Sequence, residues 1–428
     1  MSTPRETDTE QQEQEQTHRA VTSPLGSLAV PNFRNYWFSA VSFVMGWQIL
    51  RIVIAWEGYE LTNSEIFLGY LGFAMGFGTI SVNLIGGVAA DRVSRLALLI
   101  ATQVCMTITV TVLMMLTFGE VLAPWHLLAA SAAIGIIQGI DQPTRTAVVP
   151  ALIPDRRLLM NALALSSSVW QGTRVFGPGL GGVLIERIGS AATFGSVTLG
   201  YGLGTLLLFF VRIPRVDRIR GNVFKELFEG ITFIARRNLF ASLILLTFVD
   251  SFFGVAYIQL MPVFARDILG IGADGMGLML GASAAGGLIG TGLAAFWVKG
   301  RWPLVLLLGG GGLFGAMVML FAFSTVLWLS LGALFLSGTF NSLSQITNLT
   351  LLQSAVPEDL RGRVMGVFSL TYSLIPLGGL QVGALAEWFG APTAVGIGGA
   401  IAVMFAIALA LRTSFARDVR VAARTAGG

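Results

Sequence analysis

From about Asn32 to Leu411 the chain alternates long apolar segments with short polar ones. An α-helix rises about 1.5 Å per residue, so roughly 20 apolar residues cross a bilayer. The pattern predicts spans at 33–59, 65–90, 96–118, 125–149, 158–186 and 190–211. A second set follows at 239–266, 273–298, 303–323, 326–353, 364–388 and 392–411, which makes twelve. Several edges are sharp. Residues 96–119, 188–211, 275–298 and 388–411 carry no charge. The charge-free run 302–357 holds two spans and a tight turn at Ser324-Thr325.

The polar stretches divide the chain. Residues 1–31 are rich in Glu and Gln and lack the apolar core of a signal peptide, so they read as a disordered tail. Residues 212–238 separate the spans six and six. There Phe224, Leu227, Phe228, Ile231, Phe233 and Ile234 recur near helical spacing beside Lys225, Glu226 and Glu229, which predicts an amphipathic helix on a membrane surface. The expected units are therefore a tail (1–31), a first bundle (32–211), a linker (212–238), a second bundle (239–411) and a second tail (412–428).

Charge orients the spans. With the N-terminus inside, the inside segments hold 22 of the 27 basic residues, seven of them in the linker, whereas the outside loops hold only Arg187 and Arg266. The positive-inside bias therefore places both termini in the cytoplasm. Arg51, Arg145 and Arg174 remain, each within a span.

Composition agrees with the pattern. The chain is 54% hydrophobic and 12% charged, with mean hydropathy +0.76. Soluble domains carry roughly 25% charged residues. The chain is thus an all-α protein of the membrane, and lipid is its first partner. The pI near 9.6 reflects loop arginines and implies no nucleic-acid partner. Cys105 stands alone within a span, and His18 and His126 are far apart. No disulfide, metal cluster, cofactor site or nucleophile–base pair is expected, which excludes an enzyme. Short polar loops fit a prokaryotic inner membrane, and two bundles that close on each other need no partner chain, so a monomer is expected.

The two halves resemble each other. Gly182-Val-Leu-Ile-Glu-Arg-Ile-Gly189 matches Gly383-Ala-Leu-Ala-Glu-Trp-Phe-Gly390, and Ile153-Pro154-Asp155 matches Val356-Pro357-Glu358, at offsets of 201 and 203 residues. Such a repeat implies two similar bundles around a central path.

Short motifs then narrow the reading. Gly87-Val-Ala-Ala-Asp91-Arg92-Val-Ser-Arg95 follows the second span. It resembles the signature Gly-x-Leu-Ala-Asp-Arg-x-Gly-Arg of the major facilitator superfamily, matching at Gly87, Asp91, Arg92 and Arg95. Ala89 replaces the usual Leu, and Ser94 the usual Gly. The resemblance implies twelve helices in two pseudo-symmetric bundles of six and a conformational latch at these four residues. Gly177-Pro178-Gly179-Leu180-Gly181-Gly182 is similar to the core of the motif of the antiporter branch, with Thr173 in place of a further Gly. Pro178 removes a backbone hydrogen bond and the glycines thin the helix, so Gly177, Pro178, Gly181 and Gly182 are expected to form a kinked pivot. Asp141-Gln-Pro-Thr-Arg145, Asn161-Ala162, Leu360-Arg-Gly-Arg-Val-Met-Gly366 and Phe33-Arg-Asn-Tyr-Trp37 resemble the drug and siderophore (enterobactin-type) exporter branch.

An ionisable group within a span costs about 2.5–3.5 kcal/mol on insertion scales and usually faces protein or water. Gln138, Asp141 and Arg145 share one helix face, as do Trp47, Gln48 and Arg51. Trp170 and Arg174 mark the fifth span, Asp250, Phe253 and Tyr257 the seventh, and Asn341, Gln345 and Asn348 the tenth. In the superfamily fold, spans one, four, seven and ten line the cavity, so these residues form the expected substrate site. Arg51 and Arg174 suit an anionic or acceptor-rich substrate, and the aromatic side chains suit an amphipathic one. Asp141 and Arg145, four residues apart, are either cavity groups or a fixed structural pair. Asp250 and Asp141 are the candidate proton carriers. The function expected is proton-coupled efflux of small amphipathic molecules. A lipid or lysophospholipid flippase, an importer and a non-transporting receptor or scaffold are the alternatives.

Overall fold

The structure, a computed structural model, describes residues 25–89, 94–153, 155–212, 223–297 and 302–426. The described residues are almost entirely helical and contain no strand. This follows from the solvent: in lipid every backbone N–H and C=O must find a partner within the protein, and a helix satisfies them internally. Threonines in spans add to this by donating to the carbonyl one turn back, as Thr107, Thr109, Thr111 and Thr117 do.

In chain order the helices are α1 (Pro31–Thr62), α2 (Glu65–Ala89), α3 (Arg95–Phe118), α4 (Pro124–Leu152) and α5 (Arg156–Leu208). The linker helix α6 (Val223–Ala235) precedes α7 (Asn238–Ile268), α8 (Gly272–Trp297), α9 (Val305–Ala322), α10 (Leu327–Ala355), α11 (Glu358–Phe389), α12 (Ala391–Leu411) and α13 (Thr413–Ala426). Nine helices of the described residues are long and apolar enough to cross a membrane. The expected count of twelve is thus not reached: α5 is one continuous 53-residue helix apart from its break at Gly189, and α4 and α10, which carry the polar stripes, are not among the nine. Large apolar side chains such as Phe296, Trp388 and Leu411 face outward, as a lipid-facing surface requires.

The repeat seen in the sequence is also a repeat in conformation. Gly189 breaks α5 with φ 79° and ψ 167°, and Gly390 separates α11 from α12 with φ 82° and ψ 151°. Only glycine takes such a backbone without strain, so the same residue makes the same turn in each half. The helix keeps helical geometry through Pro178, and the break lies at Gly189. The proline ring fits a helical φ and removes only one donor.

Glycine also sets how the halves (31–208 and 238–411) meet. A Cβ on Gly69 would lie 2.8 Å from the Gly379 carbonyl, and one on Gly383 would lie 2.8 Å from the Glu65 carbonyl. A Cβ on Gly182 would strike the Ala273 carbonyl, and one on Gly277 the Pro178 carbonyl. Thus α2 packs on α11 and α5 on α8, in related pairs, with backbones in near contact. These contacts lie toward the rim that carries residues 62–65, 268–272 and 389–391, opposite the chain termini. We call it the distal rim.

Two polar segments differ from expectation. Residues 25–31 are ordered: Ser27 donates from its backbone N (3.0 Å) and its hydroxyl (2.7 Å) to Asn161 Oδ1, which pins the segment to α5. The second tail forms α13, and Phe415 and Val419 are buried against the second half. Their spacing of four residues places both on one helix face. The linker carries the helix α6. It packs on α11 through an Arg363–Glu229 pair at 2.8 Å and a close approach of Gly230 to the Arg363 carbonyl.

Candidate functional site

Arg51 and Arg174 are the two arginines of the spans that remain open to solvent. Arg51 lies 11 residues from the end of α1, about 16 Å from the distal rim at 1.5 Å per residue. Arg174 comes from α5, which packs along α1: Gly177 sits over Gln48, and Gly181 over Ile49. The ionised group that bears on Arg51 is Arg174, a like charge. Neither makes a hydrogen bond or ion pair with another of the described residues. Across from them, Tyr257 lies within electrostatic reach of Arg174 and hydrogen-bonds Ser283 at 3.0 Å. Trp47 and Trp170, each one turn before its arginine, are half-buried against the core.

The structure does not bring the whole expected set to this place. Gln138, Asp141 and Arg145 are buried at 8%, 1% and 4% exposure, so their stripe is not open to solvent. It faces the interior of the first half. Asp141 accepts from Arg145 and from Thr102 Oγ1 (2.9 Å) on α3. The Arg145 guanidinium lies 4.0 Å over the Phe43 ring, and Tyr36 donates to the Arg145 carbonyl. On α4 the exposed polar side chains are instead Gln142 and Thr146. Gln48 is also buried, beneath Gly177.

In the second half Asp250 is 1% exposed, and its Oδ1 has no hydrogen-bond partner among the described residues. Its other oxygen points toward Gly311 of α9. Asp250 opens a π-helical turn, Asp250–Gly254, and a 3-10 stretch follows to Leu260. Such turns are rare and often mark functional positions. Phe253 is half-buried, edge-on to Phe252 at 5.0 Å. Asn341 and Gln345 are half-buried, and Asn341 Nδ2 has no partner among the described residues. Asn348 is structural: it donates to the Leu243 carbonyl (2.9 Å) and to Thr247 Oγ1 (2.7 Å), which ties α10 to α7.

Of the expected latch, Asp91 and Arg92 lie outside the described residues. Gly87 lies near the end of α2. Arg95 donates to the Ala147 carbonyl at 2.9 Å, a contact within its own half.

Residue-by-residue reading of the sequence missed the polar links between the halves at the distal rim. Tyr59 of α1 donates to Asp267 of α7, and Arg266 donates to Asn63. Arg266 also approaches Glu60 at 3.5 Å and lies 4.6 Å over the Tyr59 ring. Glu387 of α11 accepts from Ser64 at 3.3 Å. The signal was present, because Arg266 is one of two basic residues that depart from the charge bias. Arg266, Glu60 and Asp267 are 30–45% exposed, and such ion pairs contribute about 0–1 kcal/mol each, whereas the Tyr59 side chain is buried. The double variant Tyr59→Phe/Asp267→Asn should therefore open the rim in part rather than release it. Spin labels on the 62–65 and 268–272 loops should then report a second, longer distance population. An unchanged distribution would remove the rim links as a determinant of closure.

An apolar groove of about 470 Å³ runs beside this seam, between α5 and α8, lined by Phe176, Leu180, Leu278 and Leu331 among others. None of the charged side chains lines it.

Residues 36–380 match the model of the Major Facilitator Superfamily. The chain belongs to this superfamily. It is not an enzyme but an integral membrane transporter. Among its relatives in the superfamily are the staphyloferrin A transporter of Staphylococcus aureus, 24% identical over 83% of this chain and 90% of that protein. The enterobactin exporter EntS of Salmonella typhimurium is 27% identical over 79% of this chain and 81% of that protein. Among solved superfamily-type folds, the nucleoside transporter NupG superposes with a TM-score of 0.69 at 12% identity, covering 89% of this chain and 98% of that one. A bacterial homolog of the human lysosomal transporter Spinster superposes with 0.68 at 15% identity, covering 92% and 97%. The structural likeness shows the shared fold.

Proposed function

We propose that this chain is a secondary active transporter that exports small amphipathic molecules of the siderophore class by alternating access, driven by protons. The observation that carries the reading is the placement of Arg51 and Arg174. They are solvent-accessible, deep in the protein and without a protein counter-ion among the described residues, between halves whose polar links gather at the distal rim. A single-sided path to a charged site is what an alternating-access transporter needs. The siderophore transporters among its relatives support the substrate class. The glycine-rich stretch of α5 supports antiport, and the charge bias, with the termini inside, makes the distal rim the outer one. Asp250, buried without a partner among the described residues, is the proposed proton carrier. The bacterial relatives support an inner-membrane location.

The test is reconstitution. In inverted vesicles with an imposed pH gradient, the full chain should concentrate labelled enterobactin or staphyloferrin A, and a protonophore should stop it. Uptake indifferent to the protonophore would remove proton coupling. The apolar groove between α5 and α8 favours one other reading, a lipid or lysophospholipid flippase. Movement of a labelled lysophospholipid, with neither siderophore moved, would establish that reading instead.

A further inference from the structure

We propose that Arg51 and Arg174 form a two-point site for a substrate that carries two separated carboxylate-type anions on one apolar or aromatic body. The inference rests on the transport reading and names the substrate's charge pattern.

The charges of the spans sort themselves by partner. Asp141 is held by Arg145, and Asp250 lies sealed in the second half. At the rim Glu60 and Asp267 face Arg266. Glu57, further along α1, is half-buried and hydrogen-bonds Ser190. Of the arginines of the spans this leaves Arg51 and Arg174, and Arg174 bears on Arg51 as a like charge. Two guanidinium groups held near each other at membrane depth are unfavourable by themselves. An anion that enters the path would relieve both, and a guanidinium fork binds a carboxylate in two parallel hydrogen bonds.

The register between α1 and α5 sets how far apart the two arginines leave their helices. Gly177 pairs with Gln48 and Gly181 with Ile49 and Ile52, so Arg174 lies at about the level of Met45 to Trp47. Arg51 is then about five residues further along, or roughly 8 Å at 1.5 Å per residue. Two carboxylates on one molecule give each guanidinium a fork partner of its own, whereas a single carboxylate has to be shared between them. Trp47 and Trp170 each precede their arginine by one turn, on the same helix face. The two helices thus repeat one pattern, an aromatic shelf followed by a cation. The Trp faces suit the apolar body between the anions. Tyr257, buried and hydrogen-bonded to Ser283, is the second-half side chain within electrostatic reach of Arg174.

The probes are α,ω-dicarboxylates of graded length, from succinate to sebacate, with the monocarboxylate of each length as a control. Binding is read as thermal stabilisation of the purified full chain in detergent. In the wild type one intermediate length should bind best, about tenfold or more tighter than its monocarboxylate, as one added charge-assisted contact implies. Arg51→Gln and Arg174→Gln should each erase that preference, so that the two acids bind alike. Arg51→Lys, which keeps the charge, should retain part of it and show that loss in Arg51→Gln is not misfolding. Equal binding of mono- and dicarboxylates by the wild type would overturn the proposal, as would a preference that survives both Gln variants. A wild type that keeps the dicarboxylate preference but drives no vesicle transport would overturn the transport reading and leave the two-point site standing. Transport without the preference would do the reverse.

Discussion

Asp250→Asn is expected to abolish proton-driven, uphill transport while substrate binding survives. The carboxyl is 1% exposed, Oδ1 lacks a partner, and no ionised group among the described residues bears on it. An isolated carboxylate in such a place is costly by several kcal/mol or more, and a neutral acid much less so. The charged form therefore needs another environment, with water or a cation within reach. Movement of α7 against α9 and α10 would supply it, and the π turn at Asp250–Gly254 already interrupts the regular ladder there. Asparagine keeps the shape of the neutral acid and has no proton to release. In vesicles with an imposed pH gradient the variant should fall to the level of empty vesicles, with the thermal shift on substrate addition preserved. Uphill transport by the variant would exclude Asp250 as the carrier. Asp141 would not then replace it without water reaching the Arg145 pair.

Arg145→Met is expected to cost about 3–5 kcal/mol of stability, the largest structural effect of any single substitution considered. It leaves Asp141 charged, 1% exposed and supported only by the Thr102 hydroxyl. The double variant Asp141→Leu/Arg145→Met should recover most of the loss, because apolar side chains of similar volume replace buried ion pairs without net cost in many proteins. Thermal unfolding in detergent measures both. A double variant as unstable as the single one would refute the structural role. A stable double variant that no longer transports would assign the pair to coupling, the other role open to it from the sequence. The Phe43 and Tyr36 contacts favour the structural role, since they anchor the guanidinium from α1.

The helices were legible because lipid imposes a strong rule. Runs such as 388–411 have no charge, and α12 forms over Ala391–Leu411. The glycine repeat was legible for a related reason: Gly189 and Gly390 hold a backbone that other residues resist. The motif at Gly87 to Arg95 named the superfamily that the family match then established. Less legible was α13, where Phe415 and Val419 sit among four arginines and read as a polar tail.

The sequence by itself determined the membrane class, the helices, the repeat and the superfamily, because burial in lipid and local backbone limits act along the chain. It also singled out the ionisable residues of the spans. Tertiary structure alone decided what faces each of them. A helical stripe states that Asp141 and Arg145 share a face, but not whether that face meets the path or Thr102 and Phe43. The same holds at the rim, where Tyr59 and Asp267 are 208 residues apart and meet only because α1 and α7 end side by side. Arg51 and Arg174 were neighbours in neither span nor motif. The packing of α5 glycines against α1 brings their two helices side by side, and that placement is a property of the pair of helices rather than of either sequence.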